Sequence, residues 1–191
     1  GKTLLNGIAP NKITELGLAR TFQNIRLFKD LTVLENVMVA MHAHKGNSLF
    51  SSLFRTKAYY ETEKMMKEEA LELLKIFNLE SFAQDKAKNL AYGQQRELEI
   101  VRALATKPNI LFLDEPAAGM NPQETANLTK LIAQIQEQFG LTVVLIEHDM
   151  SLVMEICQRL YVLEYGRLLA HGTPEEIKKN PDVIRAYLGG E

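Results

Sequence analysis

The sequence predicts an α/β fold with a mostly parallel sheet and an inserted α-helical subdomain. Two apolar runs, residues 110–113 and 141–146, are typical of strands buried on both faces, as in parallel sheets covered by helices. Each run ends on polar residues, which places these residues at the edge where open α/β sheets bind ligands. A helical stretch at residues 31–89 separates the segments that favour sheet, and it predicts the insertion.

Composition restricts the classes of function. The 191 residues suffice for one domain with a substantial core, and the formal net charge of −2 gives no basic footprint for nucleic acid. The single cysteine, Cys157, cannot form an internal disulfide, and no apolar run reaches membrane-spanning length. We therefore expect a cytoplasmic protein with no nucleic-acid partner and no direct membrane insertion.

The first residues are predicted to be the tail of a strand. The opening Gly-Lys-Thr matches the end of a phosphate-binding loop, G-x-x-x-x-G-K-[ST], but Gly7 and Pro10 would interrupt the helix that must follow such a loop. Residues 1–5 are therefore interpreted as strand and residues 6–7 as a turn. The elements expected before the insertion are a helical turn at residues 11–17, an extended stretch at 18–23 and a loop at 24–29.

The inserted helical subdomain is predicted at residues 31–107. Its first helix follows Thr32, which is expected to form a capping box with Glu35. A loop at residues 45–52 leads to a long amphipathic helix at residues 57–77. The apolar face of that helix consists of Met66, Ala70, Leu73, Leu74 and Phe77.

A further helix of the subdomain begins in a segment that suits an anion. A glycine and a glutamine at a helix N-terminus can bind an anion, because free N–H groups point outward and the helix dipole favours negative charge. A plain helix cap is the alternative interpretation. The residues of this segment are Leu90, Ala91, Tyr92, Gly93 and Gln94. The inner face of the helix is expected to comprise Leu98, Val101, Leu104 and Ala105.

Asp114 and Glu115 follow the first apolar run directly and are the leading candidates for chemistry. Two adjacent carboxylates at the end of a parallel strand suit a magnesium nucleotide. One can hold the water shell of the metal, and the other can orient or deprotonate an attacking water. The alternative is a strand that ends in a solvated acidic turn.

Residues 108–191 are predicted to contain the catalytic core and the C-terminal helices. The second apolar run ends next to His148, which is a candidate functional residue because it lies beside the presumed carboxylates; a structural role is the alternative. A helix that begins at Pro122 is expected to end at Gly140. Its predicted apolar face consists of Leu128, Leu131, Ile132, Ile135 and Phe139. A helix at residues 150–157, a hairpin at 160–170 and a helix capped by Thr173 complete the chain.

Together these residues resemble the ATP-binding subunit of an ABC transporter, over nearly the whole chain. Gln23 matches the family's Q-loop glutamine, and residues 90–94 stand where the family carries its L-S-G-G-Q signature. Residues 110–115 match Walker B with the catalytic glutamate, residues 118–121 match the D-loop, and His148 matches the switch histidine. These motifs in this order are far more specific than any one of them.

Within that family, the chain resembles the LivG-type ATPases of branched-chain amino acid importers. The shared segments include Ala-Arg-Thr-Phe-Gln at the Q-loop, Leu-Ala-Tyr-Gly-Gln-Gln-Arg at the signature and the C-terminal Asn-Pro-Asp-Val-Ile-Arg-Ala-Tyr-Leu-Gly. The ATPase of lipopolysaccharide export is the nearest competitor. An ABC-type ATPase of DNA repair or translation, and a non-catalytic fragment that keeps only the fold and its interaction surfaces, are the alternatives from other classes.

The resemblance implies a P-loop NTPase-like core that binds ATP and Mg²⁺. In the family, two subunits pair head to tail, so that the signature of one completes the ATP site of the other. Asp114, through water, and Gln23 would hold Mg²⁺, and Gln23 would also sense the γ-phosphate and pass the change to the loop behind it. Glu115 would polarise the attacking water, and His148 would hydrogen-bond the γ-phosphate. Transmembrane permease subunits would hold the ATPase at the inner face of the cell membrane. The D-loop residues at the contact between subunits would be Ala118, Gly119, Met120 and Asn121.

The sequence departs from the general family pattern in three places. Ala91 replaces the signature serine, so no hydroxyl can bond the γ-phosphate there, and Asn121 replaces the usual D-loop aspartate. The family's phosphate-binding loop would lie upstream of Gly1, since about 22 residues before Gln23 are too few to hold that loop's helix and a return strand as well. We therefore expect an ABC ATPase domain without its N-terminal part, and little ATPase activity from this chain by itself.

Leu27 and Phe28 follow Gln23 closely, in a loop too short to bury both side chains. We expect at least one of them to line a groove for the cytoplasmic helix of a membrane partner. The alternative is that both simply seat the helical insertion on the sheet.

Overall fold

The chain folds into two compact units, Gly1–Ile146 and Glu147–Glu191. The structure is a computed structural model, which describes residues 4–42 and 57–188. The first unit holds a parallel sheet and the inserted helices, and the second holds a β-hairpin with short helices. Within the described stretches, no helix combines the length and the apolar character that crossing a membrane requires.

A three-stranded parallel sheet organises the first unit, as the sequence predicts. The strands lie in the order β1-β2-β3, with Leu18 opposite Ile110 and Ile110 opposite Thr142. Because all three strands run in the same direction, their carboxyl ends meet at one edge of the sheet. The bounds are β1 (Leu18–Arg20), β2 (Ile110–Asp114) and β3 (Thr142–Ile146).

Strand β2 is buried on one face only, and no residue of β3 is fully buried, so the prediction of strands buried on both faces is wrong. Leu111 and Leu113 of β2 are fully buried, whereas Phe112 between them is half-buried. In β3, Val144 and Ile146 are exposed. Successive side chains of a strand point to opposite faces, and the described residues bury one face of this sheet. An unbroken apolar run does not reveal which face is covered.

The N-terminal segment is less regular than predicted. Helix α1 (Pro10–Glu15) begins with proline at its first turn, and residues 6–7 form the expected turn, with Gly7 at a φ of +81°. Residues 4 and 5 are not in a strand, which corrects the prediction for residues 1–5; residues 1–3 lie outside the described residues. No described strand pairs with residues 4 and 5, and a strand needs a partner for its backbone hydrogen bonds.

The extended stretch predicted at residues 18–23 ends early, because β1 stops at Arg20. The N–H of Thr21 still donates to the carbonyl oxygen of Phe112, at 2.9 Å. The carbonyls of Phe22 and Gln23 bond to the side chain of Arg96 instead of to a strand. The ladder ends at Thr21, whose Oγ1 accepts from the Asp114 N–H at 3.3 Å, and Arg96 binds the two carbonyls that follow.

The inserted subdomain is built from helices that pack on one another, with α2 in contact with both of the others. The Thr32 N–H donates to Glu35 at 2.7 Å and the Glu35 N–H donates to Thr32 at 3.1 Å, which confirms the capping box. The Ala87 N–H donates to the Leu31 carbonyl at 3.0 Å, so the two ends of the helical insertion are tied together. The helices are α2 (Val33–His42), α3 (Lys57–Ile76) and α4 (Tyr92–Leu104).

The core of the subdomain follows the predicted apolar faces. The residues predicted on the apolar face of α3, together with Phe77 just after that helix, are buried. The residues predicted on the inner face of α4, together with Ala105 just after it, are buried as well. The loop predicted at residues 45–52 lies outside the described residues. The subdomain limits of 31–107 and 108–191 remain a prediction, since the compact units divide at a different place.

Helix α5 (Pro122–Phe139) connects β2 to β3 and ends where predicted, at Gly140 with a φ of +59°. Leu128, Ile132 and Ile135 are buried, and Leu131 is half-buried. Phe139 was expected on the buried face but is exposed, because it lies in the last turn of the helix, where the chain leaves through Gly140.

The second unit confirms the predicted hairpin and helix start. Tyr165 and Gly166 have φ values of +48° and +75°, which is typical of the two-residue turns that join antiparallel strands. The Thr173 N–H donates to Glu176 at 2.8 Å in a capping box. The elements are α6 (Met150–Ile156), β4 (Leu160–Glu164), β5 (Arg167–Gly172), α7 (Pro174–Lys178), α8 (Pro181–Val183) and a π-helical turn at Ile184–Leu188.

Candidate functional site

Asp114 and Glu115 lie at the carboxyl end of β2, between the ends of the neighbouring strands. The Asp114 N–H donates to Thr21 Oγ1 at 3.3 Å, on the side of β1. The Glu115 N–H donates to the carbonyl oxygen of Ile146 at 2.9 Å, on the side of β3. The sheet therefore fixes the backbone of both carboxylate residues, as the sequence predicts.

Glu115 has a strained backbone. Its φ of +45° is uncommon for a residue with a Cβ, since a side chain there approaches the following carbonyl. Such strain costs about 1–3 kcal/mol and is found preferentially at functional sites. The turn that follows is short, since the N–H of Ala118 donates to the carbonyl of Glu115 at 3.1 Å. With this φ, the backbone of Glu115 leaves the direction of β2, which ends at Asp114.

Gln23 contacts Glu115 directly. Its side-chain amide Nε2 donates to Glu115 Oε2 at 2.8 Å, although the two residues are far apart in the chain. This contact places the predicted Q-loop glutamine beside the predicted base. Gln23 itself is exposed, so its side chain is accessible to a ligand.

Arg20 is a neighbour of this pair that sequence reasoning missed. Its Nη2 lies 2.8 Å from Asp114 Oδ2 and balances the charge of that carboxylate, whose side chain is 20% exposed. A polar residue at the end of a short strand gives no signal by itself, because such positions are usually solvated.

The segment at residues 90–94 forms the N-terminus of α4, with Ala91 as the residue before its first turn. The Ala91 N–H donates to Gln94 Oε1 at 3.1 Å, which is the glutamine half of a capping box. The other half cannot form, since alanine has no side-chain oxygen. Gln95 donates to the Leu90 carbonyl at 2.9 Å. The segment thus makes a partial cap, and phosphate binding here stays a prediction.

The signature and D-loop segments lie against each other within the subunit. A Cβ built on Gly119 would lie 3.1 Å from the ring of Tyr92, and a Cβ built on Gly93 would lie 3.1 Å from Glu124 Oε1. Gly119 also has a φ of +79°, which favours glycine. Asn121 accepts from the Glu124 N–H at 3.0 Å and donates its own N–H to Glu124 at 2.9 Å. Glycine thus permits the close approach of these two segments.

Glu97, on the first turns of α4, has an unusual carboxyl group. Burial, and then the nearby charge of Glu124, raise its pKa from the ordinary 4.5 to about 7. Neither Glu97 nor Glu124 was singled out from the sequence. Helix α4 therefore carries a carboxyl group with a pKa near neutral pH, close to Glu124 of α5.

His148 belongs to the second unit, two residues after the end of β3. Its side chain is 75% exposed, and its Nδ1 lies 3.9 Å from Oε2 of the buried Glu147 side chain. The His148 N–H also donates to Glu147, at 3.3 Å. The imidazole is thus exposed and lies beside a buried carboxylate, and its role at the phosphate stays a prediction.

Arg96 is the most important residue that sequence reasoning missed. It is 3% exposed and donates to the carbonyls of Phe22 and Gln23. Its Nη1 lies 3.5 Å from Glu99 Oε2. Opposite charges three residues apart on a helix were the available signal, but that pattern usually marks a solvated face.

Asp114 fits a magnesium ion that a nucleotide also holds. Among the described residues, no cluster of three or more His, Cys, Asp or Glu side chains could hold a metal ion. Mg²⁺ usually keeps several waters and uses one or two carboxylates together with substrate phosphates, so an all-protein cage is not needed. A single accessible carboxylate at the end of a strand therefore agrees with the expected chemistry.

A comparison with known protein families finds two matches. The family model described as ABC transporter matches residues 1–118, and the model described as branched-chain amino acid ATP-binding cassette transporter matches residues 167–191. Together they cover the Q-loop, signature and Walker B segments and the C-terminus.

Characterised relatives match almost the whole chain. The chain is 50% identical over 185 residues to the high-affinity branched-chain amino acid transport ATP-binding protein BraF of Pseudomonas aeruginosa, covering 97% of this chain and 72% of that protein. Identity to LivG of Escherichia coli is 49% with the same coverage. The lipopolysaccharide export ATP-binding protein LptB of Haemophilus influenzae is 29% identical over 194 residues, covering 99% of this chain and 74% of LptB.

Solved structures share the fold. The ATP-binding cassette MJ1267 in its ADP conformation superposes with a TM-score of 0.75 at 31% identity, covering 95% of this chain and 72% of that chain. A dimeric post-hydrolysis structure of the cassette MJ0796, bound to ADP and Pi, superposes with a TM-score of 0.71 at 26% identity, covering 88% and 69%. The fold of an ABC ATPase cassette is therefore confirmed.

Proposed function

Because the chain belongs to the ABC transporter family, as an ATPase of the ABC type, we propose that it powers an importer of branched-chain amino acids. The observation that carries the substrate class is the identity of about 50% to proteins named for branched-chain amino acid transport, over 97% of the chain. The C-terminal match, at residues 167–191, supports the same subgroup. Lipopolysaccharide export is the second candidate, and the lower identity to LptB disfavours it.

Glu115 is the proposed general base. A base must lie within hydrogen-bond reach of the proton it takes, and Glu115 stands at the accessible end of β2, where a nucleotide's γ-phosphate and attacking water would lie. The Gln23 amide that donates to Glu115 orients its carboxylate. The same amide can turn to the γ-phosphate, so Gln23 is the proposed sensor of the nucleotide.

Asp114 is the proposed ligand of Mg²⁺, through water, with Gln23 as a neighbouring oxygen ligand. The ion would neutralise charge on the β- and γ-phosphates when it is bound. Arg20 competes for the same carboxylate, because it lies 2.8 Å from Asp114 Oδ2. Arg20 therefore keeps the Asp114 charge compensated until the nucleotide arrives.

The remaining motif residues are proposed to act across a dimer. Residues 90–94 at the start of α4 would complete the ATP site of a second subunit, with the Gly93 segment facing the γ-phosphate in place of a serine hydroxyl. In the ATP site of its own subunit, His148 would hydrogen-bond the γ-phosphate. The D-loop residues 118–121 would lie between the subunits. Transmembrane permease subunits would hold the pair at the inner face of the cell membrane.

Transport by the reconstituted complex tests the substrate class. The gene product that contains this chain is assembled with its permease subunits in vesicles, and uptake of leucine, isoleucine and valine is measured with ATP on the side of the ATPase. We expect ATP-dependent uptake of all three and no uptake of lysine or glutamate. Release of lipopolysaccharide from the membrane without any amino acid uptake would favour the second candidate instead.

A further inference from the structure

A groove in the second unit is lined by residues to which the proposed function gives no role. It is formed where the start of β4 and the end of β5 meet α7, and its volume is about 480 Å³. Sites for small molecules commonly have volumes of about 300–1,000 Å³. The groove is here called the hairpin groove. The lining residues that determine its chemistry are Arg159, His171, Gly172, Thr173, Glu176 and Ile177.

Arg159 and His171 give the hairpin groove a positive charge and hydrogen-bond donors. Both side chains are exposed, and Arg159 Nη2 lies 3.4 Å from His171 Nδ1. Because a guanidinium can only donate, Nδ1 accepts here, and the neutral imidazole carries its proton on Nε2 as a further donor. The Tyr161 ring centre lies 5.8 Å from that of His171 and 5.8 Å from the Arg159 guanidinium. These contacts orient both side chains.

Glu176 of α7 gives the hairpin groove a negative charge. The Thr173 N–H donates to Glu176 Oε2 at 2.8 Å. This bond, and then the Thr173 hydroxyl, hold the pKa of Glu176 below its ordinary 4.5, and the charges of Arg159 and His171 act in the same direction. A Cβ built on Gly172 would lie 2.5 Å from Oε2, so the glycine makes room for the carboxylate. The carboxylate is therefore ionised at neutral pH and held in place.

Opposite charges in one groove favour a ligand that carries both signs. A simple anion would be attracted by Arg159 and repelled by Glu176, and a simple cation would meet the reverse. A zwitterion can place a carboxylate on the planar guanidinium fork, which suits two oxygens, and an ammonium on the Glu176 carboxylate. Ile177, which is 1% exposed, provides an apolar floor between polar residues.

We propose that the hairpin groove binds a zwitterionic α-amino acid, with its carboxylate at Arg159 and its ammonium at Glu176. His171 is a positioning residue, because it accepts from the Arg159 guanidinium. The site goes beyond the proposed function, since it gives the ATPase a ligand other than the nucleotide. The inference depends on the chemistry of the groove and does not need transport or a dimer.

The alternative is that these charges only neutralise each other where β5 meets α7. Both interpretations predict some loss of stability when one charge is removed. They differ in ligand binding by the unaltered protein, because internal neutralisation provides no site for an amino acid. They differ further in whether binding requires both charges of the ligand.

Calorimetric titration of the complete gene product without nucleotide is the first measurement. The probes are L-leucine, 4-methylpentanoate, which lacks its ammonium, and 3-methylbutylamine, which lacks its carboxylate. We expect saturable binding of leucine with a Kd below about 1 mM. The other two compounds should bind about tenfold more weakly or worse, since each loses a hydrogen bond between charged groups. Weaker or non-saturable binding of leucine, or equal binding of all three compounds, would overturn the proposal.

Variants of the two charged residues assign the binding to the hairpin groove. Arg159→Gln removes the positive charge, and Glu176→Gln removes the negative charge while its amide oxygen can still accept from the Thr173 N–H. We expect each to weaken leucine binding by about tenfold or more. The matched control is Arg167→Gln, an exposed arginine at the start of β5, and it should bind leucine as the parent does. Parent affinity in both groove variants would overturn the proposal.

The two tests remain separate from the test of the proposed function. Circular dichroism and melting identify any variant that does not fold, and the comparison of the three compounds uses only the unaltered protein. Failure of leucine to bind the gene product would overturn the hairpin groove as an amino acid site and leave uptake by the assembled transporter unaffected. Absence of uptake would contradict the proposed function and leave the titration unaffected.

Discussion

At the scale of single residues, the carboxyl group of Glu97 makes stability depend on pH. Its pKa is raised to about 7 in the folded protein, against 4.5 ordinarily, so between these values the folded state binds more protons than the unfolded state. Stability should therefore fall as pH rises from about 4.5 to about 7. Glu97→Gln removes this dependence, and we expect the variant to melt higher than the parent at pH 8 and equally at pH 4, below the unfolded pKa.

Glu124→Gln is the companion variant for this prediction. The amide can keep the capping contacts with Asn121 while it removes the charge that raises the Glu97 pKa. The pH at which stability falls should then move lower than in the parent. Melting curves from pH 4 to pH 9 measure both effects. If the difference in Tm between Glu97→Gln and the parent were the same at pH 5 and pH 8, the raised pKa of Glu97 would be refuted.

The sequence identifies candidate residues by their position at the end of a strand. It does not identify buried residues whose role depends on contacts with distant parts of the chain. Asp114 and Glu115 were found because polar residues after a buried run lie at the ligand edge of the sheet. The family resemblance gave Gln23 and Glu115 separate roles at one nucleotide, and their direct contact was not predicted. Arg96 was missed because its partners are backbone carbonyls, and any residue type can provide those.

At the scale of elements, the start of α5 depends on Asn121. Its side chain accepts from the Glu124 N–H at 3.0 Å, which satisfies an N–H that the helix leaves without a partner. Asn121→Ala should cost about 1 kcal/mol, and a chain of this size loses roughly 2–4 °C in Tm per kcal/mol. Asn121→Asp keeps the cap, so its Tm should stay near that of the parent. Calorimetry of the three proteins checks the order.

Two outcomes would contradict this role of Asn121. Equal melting of Asn121→Ala and the parent would mean that water or another group replaces the cap at no cost. Equal losses in Asn121→Ala and Asn121→Asp would mean that the amide nitrogen, and not the capping oxygen, stabilises the turn. Asp is also the residue that the family usually carries there, so the second variant tests the departure noted in the sequence.

The helices were more predictable than the strands. Caps and apolar spacing are local properties, and both the Thr32 and the Thr173 capping boxes form as predicted. The burial of β2 and β3 is a tertiary property. Both runs are almost entirely apolar, yet β2 is buried on one face only and β3 has no fully buried residue. The early end of β1 is also set by residues distant in the chain, because the Asp114 N–H donates to Thr21 Oγ1 and Arg96 binds the Phe22 carbonyl.

At the scale of the whole molecule, Phe28 is expected to dock a membrane partner. Its ring is 47% exposed, and the guanidinium of Arg102 lies 4.9 Å from the ring centre. An exposed contact of this kind contributes about 0.5–1 kcal/mol, so Phe28→Ala should lower the Tm only slightly. Assembly with the permease subunits, measured by co-purification, should fall sharply.

Phe139→Ala is the matched control for this docking prediction. Phe139 is the same residue type with a similar exposure of 42%, at the end of α5. We expect it to leave assembly and transport unchanged. If Phe28→Ala melts several degrees lower and still assembles when folded, Phe28 serves packing, and the docking surface lies elsewhere.

The central claim is that this chain provides the carboxylate side chains of the site where ATP is hydrolysed, with Glu115 as the general base. The most direct measurement is single-turnover ATP hydrolysis and ATP binding by Glu115→Gln in the complete gene product, assembled with its partners. The amide keeps the shape of the side chain but cannot take a proton, so hydrolysis should fall by about 10²–10⁴-fold while ATP affinity stays within about twofold. Hydrolysis within about threefold of the parent, with the same affinity, would contradict the claim.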